Sequence, residues 1–500
     1  MSIRTSRLSR RSVIRLPLLV ALGTALAACA PAAAPTATTA PAKPAEKPAA
    51  APAPTNTPAA AAAAKPTEAP KPAEPTKPAA AEATKPAEAA KPAASKAPAE
   101  IRMGTWASAG LLDVMKAQIA DFEGRNAGNQ IKIEAAPWQQ YWDKMQVQVA
   151  GGTTPDVVWM SGATFLDLND KGAFKDLMSY AKDDKSLKLE EMWNEPLYTA
   201  GGKLWAMPYT ASVHALFYNK TMLKEAGIAE PPKDWDDPGW TWDDLRKASK
   251  TLTGKGKDGK QRWGIEMTNS MEWGWGTYTL SNGAEVLNKD LTASVMDSPE
   301  FIGAIQYVVD MIQKEKVSPV PGDPSAALGP NIIDLFHSGQ VAFRNGNNSR
   351  IPTYVQIKDF EWDVCVPPRA APGKPRRVYW VQNPYCMASA SKVPDNAWQF
   401  LSYVGSKPGQ DFMGKSKIIM PSLKSAATDP ETYLKPPPNN TRIFPDAMAK
   451  NVTTDLQFTK TWLRYQQIAK EQLDPAYLGE KPVDESCRAA KREVDKVLKG

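Results

Sequence analysis

Hydrophobic side chains divide this chain into three regions. Residues 16–28 form one short apolar run, residues 30–100 contain no aromatic or large aliphatic side chain, and residues 101–500 show the periodicities of strands and helices. Only the third region has enough apolar side chains, at strand and helix spacing, to build a hydrophobic core of its own. It is longer than one core usually organises, so we expect two lobes.

The first region predicts export. Five arginines and no acidic residue precede the run at 16–28, which is too short to span a bilayer. The run ends in Leu26-Ala27-Ala28-Cys29, which resembles the bacterial lipobox, so we expect a signal peptide over 1–29 and a lipid on the Cys29 thiol. Residues 9–15 resemble the twin-arginine export motif, and the choice between the Sec and Tat routes stays open. The alternative for 16–28 is a buried core helix.

The second region, 30–100, predicts a disordered tether rich in Ala, Pro and Lys. Its prolines favour polyproline II, with a reach on the order of 200 Å if straight. The leader carries +5 and the tether +2 of the chain's net charge of +7, so residues 101–500 are close to neutral. This balance gives no support to a nucleic-acid partner.

The third region opens with alternating strands and helices. The pattern predicts strands at 101–105, 131–134 and 155–159, with two intervening helices that contain Leu112, Met115, Ile119, Phe122, Tyr141, Met145 and Val149. Such alternation favours a largely parallel sheet, whose ligands bind beyond the carboxyl ends of the strands. That rule indicates Trp106, Ser108 and Ser161 as candidate ligand contacts.

Several segments carry a family resemblance. They are AGGTTPDVVW (150–159), KGAFKDL (171–177), GGKLWAMPYTASVHALFYNKTMLKEAG (201–227), TWDDL (241–245), SGQVAF (338–343), the hairpin-like WDVCVPPRAAPGKPRRVYW (362–380) and SKVPDNAWQFLSYVGS (391–406). In these motifs the chain resembles family 1 of the bacterial extracellular solute-binding proteins, the sugar-binding group that includes maltose-binding protein.

The resemblance implies an α/β, two-lobe periplasmic-binding-protein-like (class II) fold with hinge strands and a central ligand cleft. Matching segments predicts lobe 1 at 101–212 and 386–418, and lobe 2 at 216–380 and 421–500. The chain then crosses between the lobes near 210–215, 379–386 and 418–422.

The function implied is that of a substrate-binding lipoprotein of an ABC importer. It captures a sugar or oligosaccharide by hinge closure and delivers it to ABC permease subunits in the cytoplasmic membrane. We expect an exported monomer, anchored to the membrane through Cys29 and facing the outside or the periplasm, with no cofactor and no enzymatic activity.

Aromatic rings are the first ligand contacts to consider, because sugars stack their C–H faces on flat rings. Trp106 is either such a ring or a cap on the core. Trp273, in MEWGWG (271–276), matches the position where the family offers a ring, Trp275 flanks it, and Gly274 and Gly276 leave the rings room. The tryptophans at 235, 240 and 242 match a motif that opens a helix, and we assign them to packing.

Polar contacts are implied on the crossing segments. Tyr209, Thr210 and Ser212 lie on the first crossing, and Trp380 and Gln382 on the second, whereas His214 is expected to pack within the hinge. Asn347 and Asn348 follow SGQVAF, where they either contact sugar hydroxyls or form a turn.

Two alternatives stay open at this point. Arg344 is suited to bind a carboxylate or phosphate, which predicts an anionic sugar or polyol phosphate such as a uronate or a glycerol phosphate. A cell-surface glycan-degrading enzyme also lines its cleft with rings, but it needs a pair of carboxyl groups, which counting residues neither supplies nor excludes.

Cysteine and histidine add little chemistry. Cys365 and Cys386 are either bridged or separate buried thiols, and Cys487 is expected to pack within a helix. The two histidines, His214 and His337, have no metal-ligand spacing, so no metal site is predicted. GKGKDGK (254–260) lacks the helix-opening Lys-Ser/Thr of a phosphate loop, and we interpret it as a hairpin turn.

Overall fold

The computed structural model describes residues 99–107, 109–328, 333–417 and 419–499. The predicted signal peptide, Cys29, nearly all of the tether, Ser108 and position 418 of the third predicted crossing lie outside these residues. The described strands are β1 (Ala99–Thr105), β2 (Asn129–Ala135), β3 (Val157–Trp159), β4 (Thr199–Ala200), β5 (Lys203–Leu204), β6 (Met207–Asn219), β7 (Gly254–Lys255), β8 (Gln261–Glu266), β9 (Val341–Asn347), β10 (Trp362–Cys365), β11 (Val378–Met387), β12 (Met420–Pro421) and β13 (Thr453–Asp455).

Helices cover the faces and ends of these strands. They are α1 (Ala109–Arg125), α2 (Trp138–Ala150), α3 (Gly162–Asp170), α4 (Met178–Ala181), α5 (Glu195–Tyr198), α6 (Lys220–Glu225), α7 (Trp242–Leu252), α8 (Gly276–Ser281), α9 (Pro299–Gln313), α10 (Ile351–Tyr354), α11 (Pro394–Gly405), α12 (Lys407–Ser416), α13 (Lys424–Ala427), α14 (Ile443–Ala449), α15 (Trp462–Tyr477) and α16 (Val483–Lys499). A π-helical turn, Met271–Trp275, precedes α8. In the part of the chain that the structure describes, no helix has the length and apolar character to cross a membrane.

The first strands and helices confirm the sequence prediction. β1 pairs in parallel with both β2 and β3, and α1 and α2 occupy the two predicted helical stretches. Helix α2 ends where predicted, with Gly151 at its C-cap. The carboxyl ends of β1 and β3 therefore meet at one edge of the sheet, which places Trp106 beside Trp159.

β6 is the central strand of the fold. All of its residues are buried, and it pairs through Met207–Val213 with β11 and through His214–Tyr218 with β9. The strand order is β2-β1-β3-β11-β6-β9-β8-β7, with β10 and β12 also on β6 and β13 also on β11. The prediction of a hairpin at 362–380 is wrong. In the described residues β10 and β11 each pair with β6 and not with each other.

Buried hydrophobic side chains form three clusters. The first core contains Ile101, Phe122 and Leu401, the second core contains Ile265, Ile305 and Tyr465, and the third core contains Phe217, Tyr354 and Phe444. The first core draws on 101–209 and 385–426, and the other two draw on 211–380 and 420–494. The residue limits predicted for the two lobes stay a prediction.

The cysteines in the described residues are free and buried, so the bridged alternative for Cys365 and Cys386 is wrong. Cys365 pairs with Leu216 near one end of β6, and Cys386 follows Tyr385, which pairs with Met207 near the other end. At about 3.3 Å per residue, these positions are about 30 Å apart along the strand. No disulfide spans that distance.

Two local predictions are confirmed. GKGKDGK joins β7 to β8 as a hairpin, in which Gly254 pairs with Arg262. Trp235 and Trp242 are buried, and Thr241 and Asp244 form the capping box that begins α7. The first segment therefore forms a hairpin turn, and the second packs its tryptophans and begins a helix.

Candidate functional site

A cavity of about 420 Å³ lies where the first and second cores meet beside the central strands. This volume is in the range of small-molecule sites, about 300–1,000 Å³. We call it the cleft cavity, and its lining consists of Trp106, Leu111, Trp138, Trp159, Ser161, Ser212, Glu272, Trp273, Asn347, Ser349, Val381, Asn383, Ile419, Leu456, Phe458, Trp462, Leu463 and Gln466. Aromatic and aliphatic side chains thus surround a small number of polar groups.

Trp106 forms the centre of the aromatic wall on the side of the first core. Its indole stacks on that of Trp159, with 4.2 Å between the centroids and 8° between the planes, and Trp138 meets it edge-on at 5.3 Å. Trp159 is buried, Trp106 is half-buried and Trp138 is 40% exposed. The core-capping alternative for Trp106 is therefore confirmed, and because the ring also lines the cavity, its role as a ligand contact stays a prediction.

Trp273 also lines the cavity, from the middle of the π-helical turn, whose Met271 and Trp275 belong to the second core. The Ser270 hydroxyl accepts a hydrogen bond from the Trp273 backbone N–H at 3.1 Å, which begins the turn. The Arg350 guanidinium lies over the indole, 4.6 Å from the ring centroid. π-Helical turns often occur at functional sites, and this one orients a half-buried ring toward the cavity.

Gly274 and Gly276 have a different role from the one predicted. A Cβ atom at Gly274 would lie 1.9 Å from the Thr268 carbonyl oxygen, and one at Gly276 would lie 2.3 Å from the Tyr379 ring. These glycines therefore permit close packing of the backbone behind the turn. They do not make room for the tryptophan rings.

The polar side chains of the cavity lie on the central strands and the turn that follows β9. Ser212 is on β6 and Asn383 is on β11, while Asn347 ends β9. The Asn347 Oδ1 atom accepts hydrogen bonds from the Ser349 hydroxyl at 2.6 Å and its backbone N–H at 3.0 Å. The turn alternative is thus confirmed for Asn347, and its side chain borders the cavity as well.

Glu272 is the one charged residue in the described lining of the cleft cavity. Its Oε1 atom lies 3.8 Å from Nε2 of His214, which is 1% exposed and has no hydrogen-bond partner among the described residues on either ring nitrogen. The His214 ring lies 5.5 Å from the Trp273 ring, between their centroids. His214 is therefore a buried residue outside the cavity lining, and its placement within the hinge stays a prediction.

Sequence comparison defines the family. The profile described as bacterial extracellular solute-binding protein matches residues 117–440, which is more than half of the chain. The chain belongs to the bacterial extracellular solute-binding protein family. Members of this family are exported, so the predicted export agrees with the family.

Known binding proteins are similar in sequence to this solute-binding protein, which agrees with its family. A Brucella abortus binding protein is 26% identical over 389 residues, covering 76% of this chain and 88% of its own length. The diacetylchitobiose-binding protein DasA of Streptomyces coelicolor is 24% identical over 324 residues, covering 63% of this chain and 71% of its own.

The fold is also that of known substrate-binding proteins. A Listeria monocytogenes ABC substrate-binding protein, solved in complex with cycloalternan, superposes with a TM-score of 0.69 at 23% identity. The match covers 80% of this chain and 99% of that protein. The two-lobe α/β fold predicted from the motifs is thus confirmed.

Five of the predicted ligand contacts line the cleft cavity of this solute-binding protein: Trp106, Ser161, Ser212, Trp273 and Asn347. Tyr209 and Thr210 do not, although they are on the first crossing segment. The Tyr209 hydroxyl donates a 2.5 Å hydrogen bond to Gln118, and the Thr210 hydroxyl donates to the Asn383 carbonyl at 3.3 Å. Both side chains are fully buried, and Tyr209 belongs to the first core.

Trp275 is not brought to the cleft cavity either. It is 1% exposed, its Nε1–H donates to Asn269 at 3.2 Å, and its ring packs edge-on against Phe301 in the second core. Trp273 and Trp275 therefore differ in environment although they are two residues apart. The π-helical turn places one at the cavity and the other inside the protein.

Arg344 is a structural residue in this solute-binding protein. Its Nε atom donates to Glu266 at 2.7 Å and lies 3.7 Å from Asp334. None of the three side chains is more than 14% exposed. Burial raises the pKa of Glu266, and the Arg344 charge opposes that rise. With its charge already paired, Arg344 gives no support to the anionic-ligand alternative.

Asn348, Trp380 and Gln382 also lie outside the lining of the cleft cavity. Asn348 is fully buried, and its side chain accepts from the Val213 N–H at 2.7 Å and donates to the Ala211 carbonyl at 3.4 Å. Trp380 packs in the third core, and Gln382 donates to Asp455 at 2.7 Å. These residues fix the central strands. Ser108 lies outside the described residues.

The sequence did not identify several lining residues. Glu272 lines the cavity together with the predicted Trp273, whereas Asn383 lines it in place of its predicted neighbour Gln382. Trp462, Leu463 and Gln466 come from α15, beyond the quoted motifs. The sequence of α15 carries no signal that distinguishes these residues from those of an ordinary amphipathic helix.

Proposed function

We propose that this solute-binding protein captures a neutral sugar or oligosaccharide in the cleft cavity and delivers it to the permease subunits of an ABC importer. The observation that carries the proposal is that Trp106, packed on the first core, and Trp273, on the turn that packs in the second core, line one cavity. Flat rings match the C–H faces of a sugar, and the polar side chains of the same lining match its hydroxyl groups.

Placement of the polar groups supports capture by hinge closure. Ser212 and Asn383 lie on β6 and β11, the strands that we propose cross between lobe 1 (101–212 and 386–418) and lobe 2 (216–380 and 421–500). A ligand held by residues of both lobes has more contacts when the lobes are closed, so its binding favours the closed state. The closed form is then the one presented to the permease.

A neutral ligand fits the charge of the cavity. Glu272 is the charged member of the described lining, and a carboxylate accepts hydrogen bonds from hydroxyl groups but repels uronates and phosphates. The names of relatives agree with a carbohydrate, because DasA is a diacetylchitobiose-binding protein and the Listeria protein was solved with cycloalternan.

The same lining supports binding without chemistry. Glycoside hydrolases place two carboxyl groups about 5–10 Å apart across the scissile bond. The described lining of the cleft cavity supplies one, Glu272. We therefore propose that the protein binds its ligand without catalysis. From the lipobox-like residues 26–29 we also propose that it is exported and held at the membrane, as a monomer, through a lipid on Cys29.

The test is a titration of tryptophan fluorescence with neutral di- and trisaccharides, followed by recovery of the sugar. We expect saturable quenching and an intact sugar by mass spectrometry. A shortened sugar would show an enzyme, and tighter binding of uronates or glycerol phosphate than of neutral sugars would restore the anionic alternative.

A further inference from the structure

A second cavity, of about 610 Å³, lies on the other face of β11. Gln382 lines it, whereas the neighbouring Val381 and Asn383 line the cleft cavity. Successive side chains of a strand point to opposite faces, so the two cavities lie on opposite sides of this strand. We call it the rear cavity.

Phe458 lies at the boundary of the two cavities. It lines both of them, as does Leu456, and its ring lies 2.9 Å from the position that a Cβ atom of Gly162 would occupy. The two cavities therefore adjoin at Phe458 and Leu456. The remaining lining residues of the rear cavity do not line the cleft cavity, so its chemistry differs from that of the proposed sugar site.

Apolar side chains form most of the rear cavity. Phe165 and Leu166 come from α3 and Leu197 from α5, while Leu287 and Leu291 come from the segment between α8 and α9. Leu166 and Leu197 are each 39% exposed. Converging apolar side chains that remain exposed in a concave site favour an apolar ligand group.

Asp455 is a polar residue in the lining of the rear cavity. The Asp455 carboxyl group is hydrogen-bonded to the Trp380 side chain, and its Oδ1 atom accepts a 2.7 Å hydrogen bond from Gln382. No cationic side chain among the described residues forms an ion pair with Asp455. Its burial raises the pKa to about 6, so the group is still a carboxylate at neutral pH. A partly buried carboxylate without a cation is costly unless a bound cation compensates it.

The other polar groups of the rear cavity do not supply that cation. Arg377 pairs with Glu285 at 3.4 Å, and Lys289 is exposed to solvent. Gln382 is 2% exposed, and its Oε1 atom has no hydrogen-bond donor among the described residues. A carboxylate and an amide oxygen together present acceptors, which an ammonium group satisfies with its several N–H donors.

We infer that the rear cavity is a second ligand site, which binds a small organic amine with its ammonium group at Asp455 and Gln382 and its apolar body against Leu166 and Leu197. The amine adds a ligand class that the proposed sugar site does not use. No covalent step is involved, and the inference does not depend on sugar binding in the cleft cavity.

The experiment uses the full chain and two probes of similar shape, 2-phenylethylamine and the uncharged 2-phenylethanol, in calorimetric titrations at pH 7.5. We expect saturable binding of the amine. The alcohol should bind at least about tenfold more weakly, because the charge-assisted hydrogen bond is lost. Asp455→Asn keeps an acceptor for Gln382 but removes the charge, and should weaken amine binding about tenfold.

Two further variants make the result decisive. Leu166→Trp fills the rear cavity from an exposed position and should also weaken amine binding. If Asp455→Asn does not fold, this variant tests whether the amine binds in the rear cavity. Glu272→Gln, in the cleft cavity, should leave amine binding unchanged. Equal affinity for the alcohol, loss of binding in Glu272→Gln but not in Asp455→Asn, or no saturation up to about 10 mM would each overturn the inference.

Discussion

Trp273 and Trp275 are two residues apart on one π-helical turn, yet the first lines the cleft cavity and the second is buried against Phe301. A tight turn thus assigns two identical side chains to two different environments. This relationship gives a matched pair of variants that separates ligand binding from folding.

Trp273→Ala should weaken the affinity for the sugar about tenfold or more, because a stacking surface is lost, and should lower the free energy of unfolding by about 1 kcal/mol. Trp275→Ala should lower that free energy by about 3–5 kcal/mol through the cavity it leaves in the second core. Fluorescence titration and urea denaturation measure the two quantities. Unchanged affinity in Trp273→Ala would remove this residue from the site.

Trp106→Ala should affect both properties, because the ring stacks on Trp159 and also lines the cavity. We expect a loss of about 2–4 kcal/mol of stability together with weaker sugar binding. Trp106→Phe, which retains a flat ring, should recover part of each. If the alanine variant binds sugar as tightly as the parent, the role of Trp106 is confined to the core.

Arg344→Met should destabilise the protein by about 3–5 kcal/mol at neutral pH, because Glu266 and Asp334 stay buried without their cation. The removal of Arg344 should raise the pKa of Glu266 further, so the variant should recover stability as the pH falls. Thermal denaturation between pH 5 and 8 measures this. Intact sugar affinity in the folded variant is the accompanying expectation, and its loss would place Arg344 in the ligand site.

Asp455 should make the protein less stable as the pH rises. Its folded pKa is raised to about 6 by burial, above the ordinary value of 3.8, so between these values the folded state binds more protons than the unfolded state. Its contribution to stability is therefore favourable at low pH and is lost as the pH rises through about 4 to 6. Asp455→Asn should flatten this part of the pH profile, and a profile unchanged by the substitution would contradict the assignment.

Cys29→Ser should release the protein from membranes, because the serine hydroxyl does not accept the diacylglyceryl group. Fractionation of cells into membrane and soluble parts, with immunoblotting, measures the effect. Retention of the variant in the membrane fraction would contradict the lipobox interpretation.

Local sequence predicted the elements well. The helical spacing of Leu112, Met115 and Ile119 is realised in α1, and the glycine after Ala150 ends α2 as expected. Such patterns are reliable because helix and strand periodicity follow from the chain's own geometry and from the need to bury one face. The composition of 30–100 excludes a core for the same reason, since it contains nothing large and apolar to bury.

Tertiary structure decided which side chains reach the cleft cavity. Arg344 is paired with Glu266, 78 positions away along the chain. Trp462, from α15, lines the same cavity as Trp106, although the two residues are far apart in the sequence. Val381, Gln382 and Asn383 are consecutive, yet they divide between two cavities. Burial and ion pairing depend on which distant elements meet, and a local pattern carries no information on that. The sequence by itself thus determined the elements and the family, and the packing of β6, β11 and the π-helical turn determined the site.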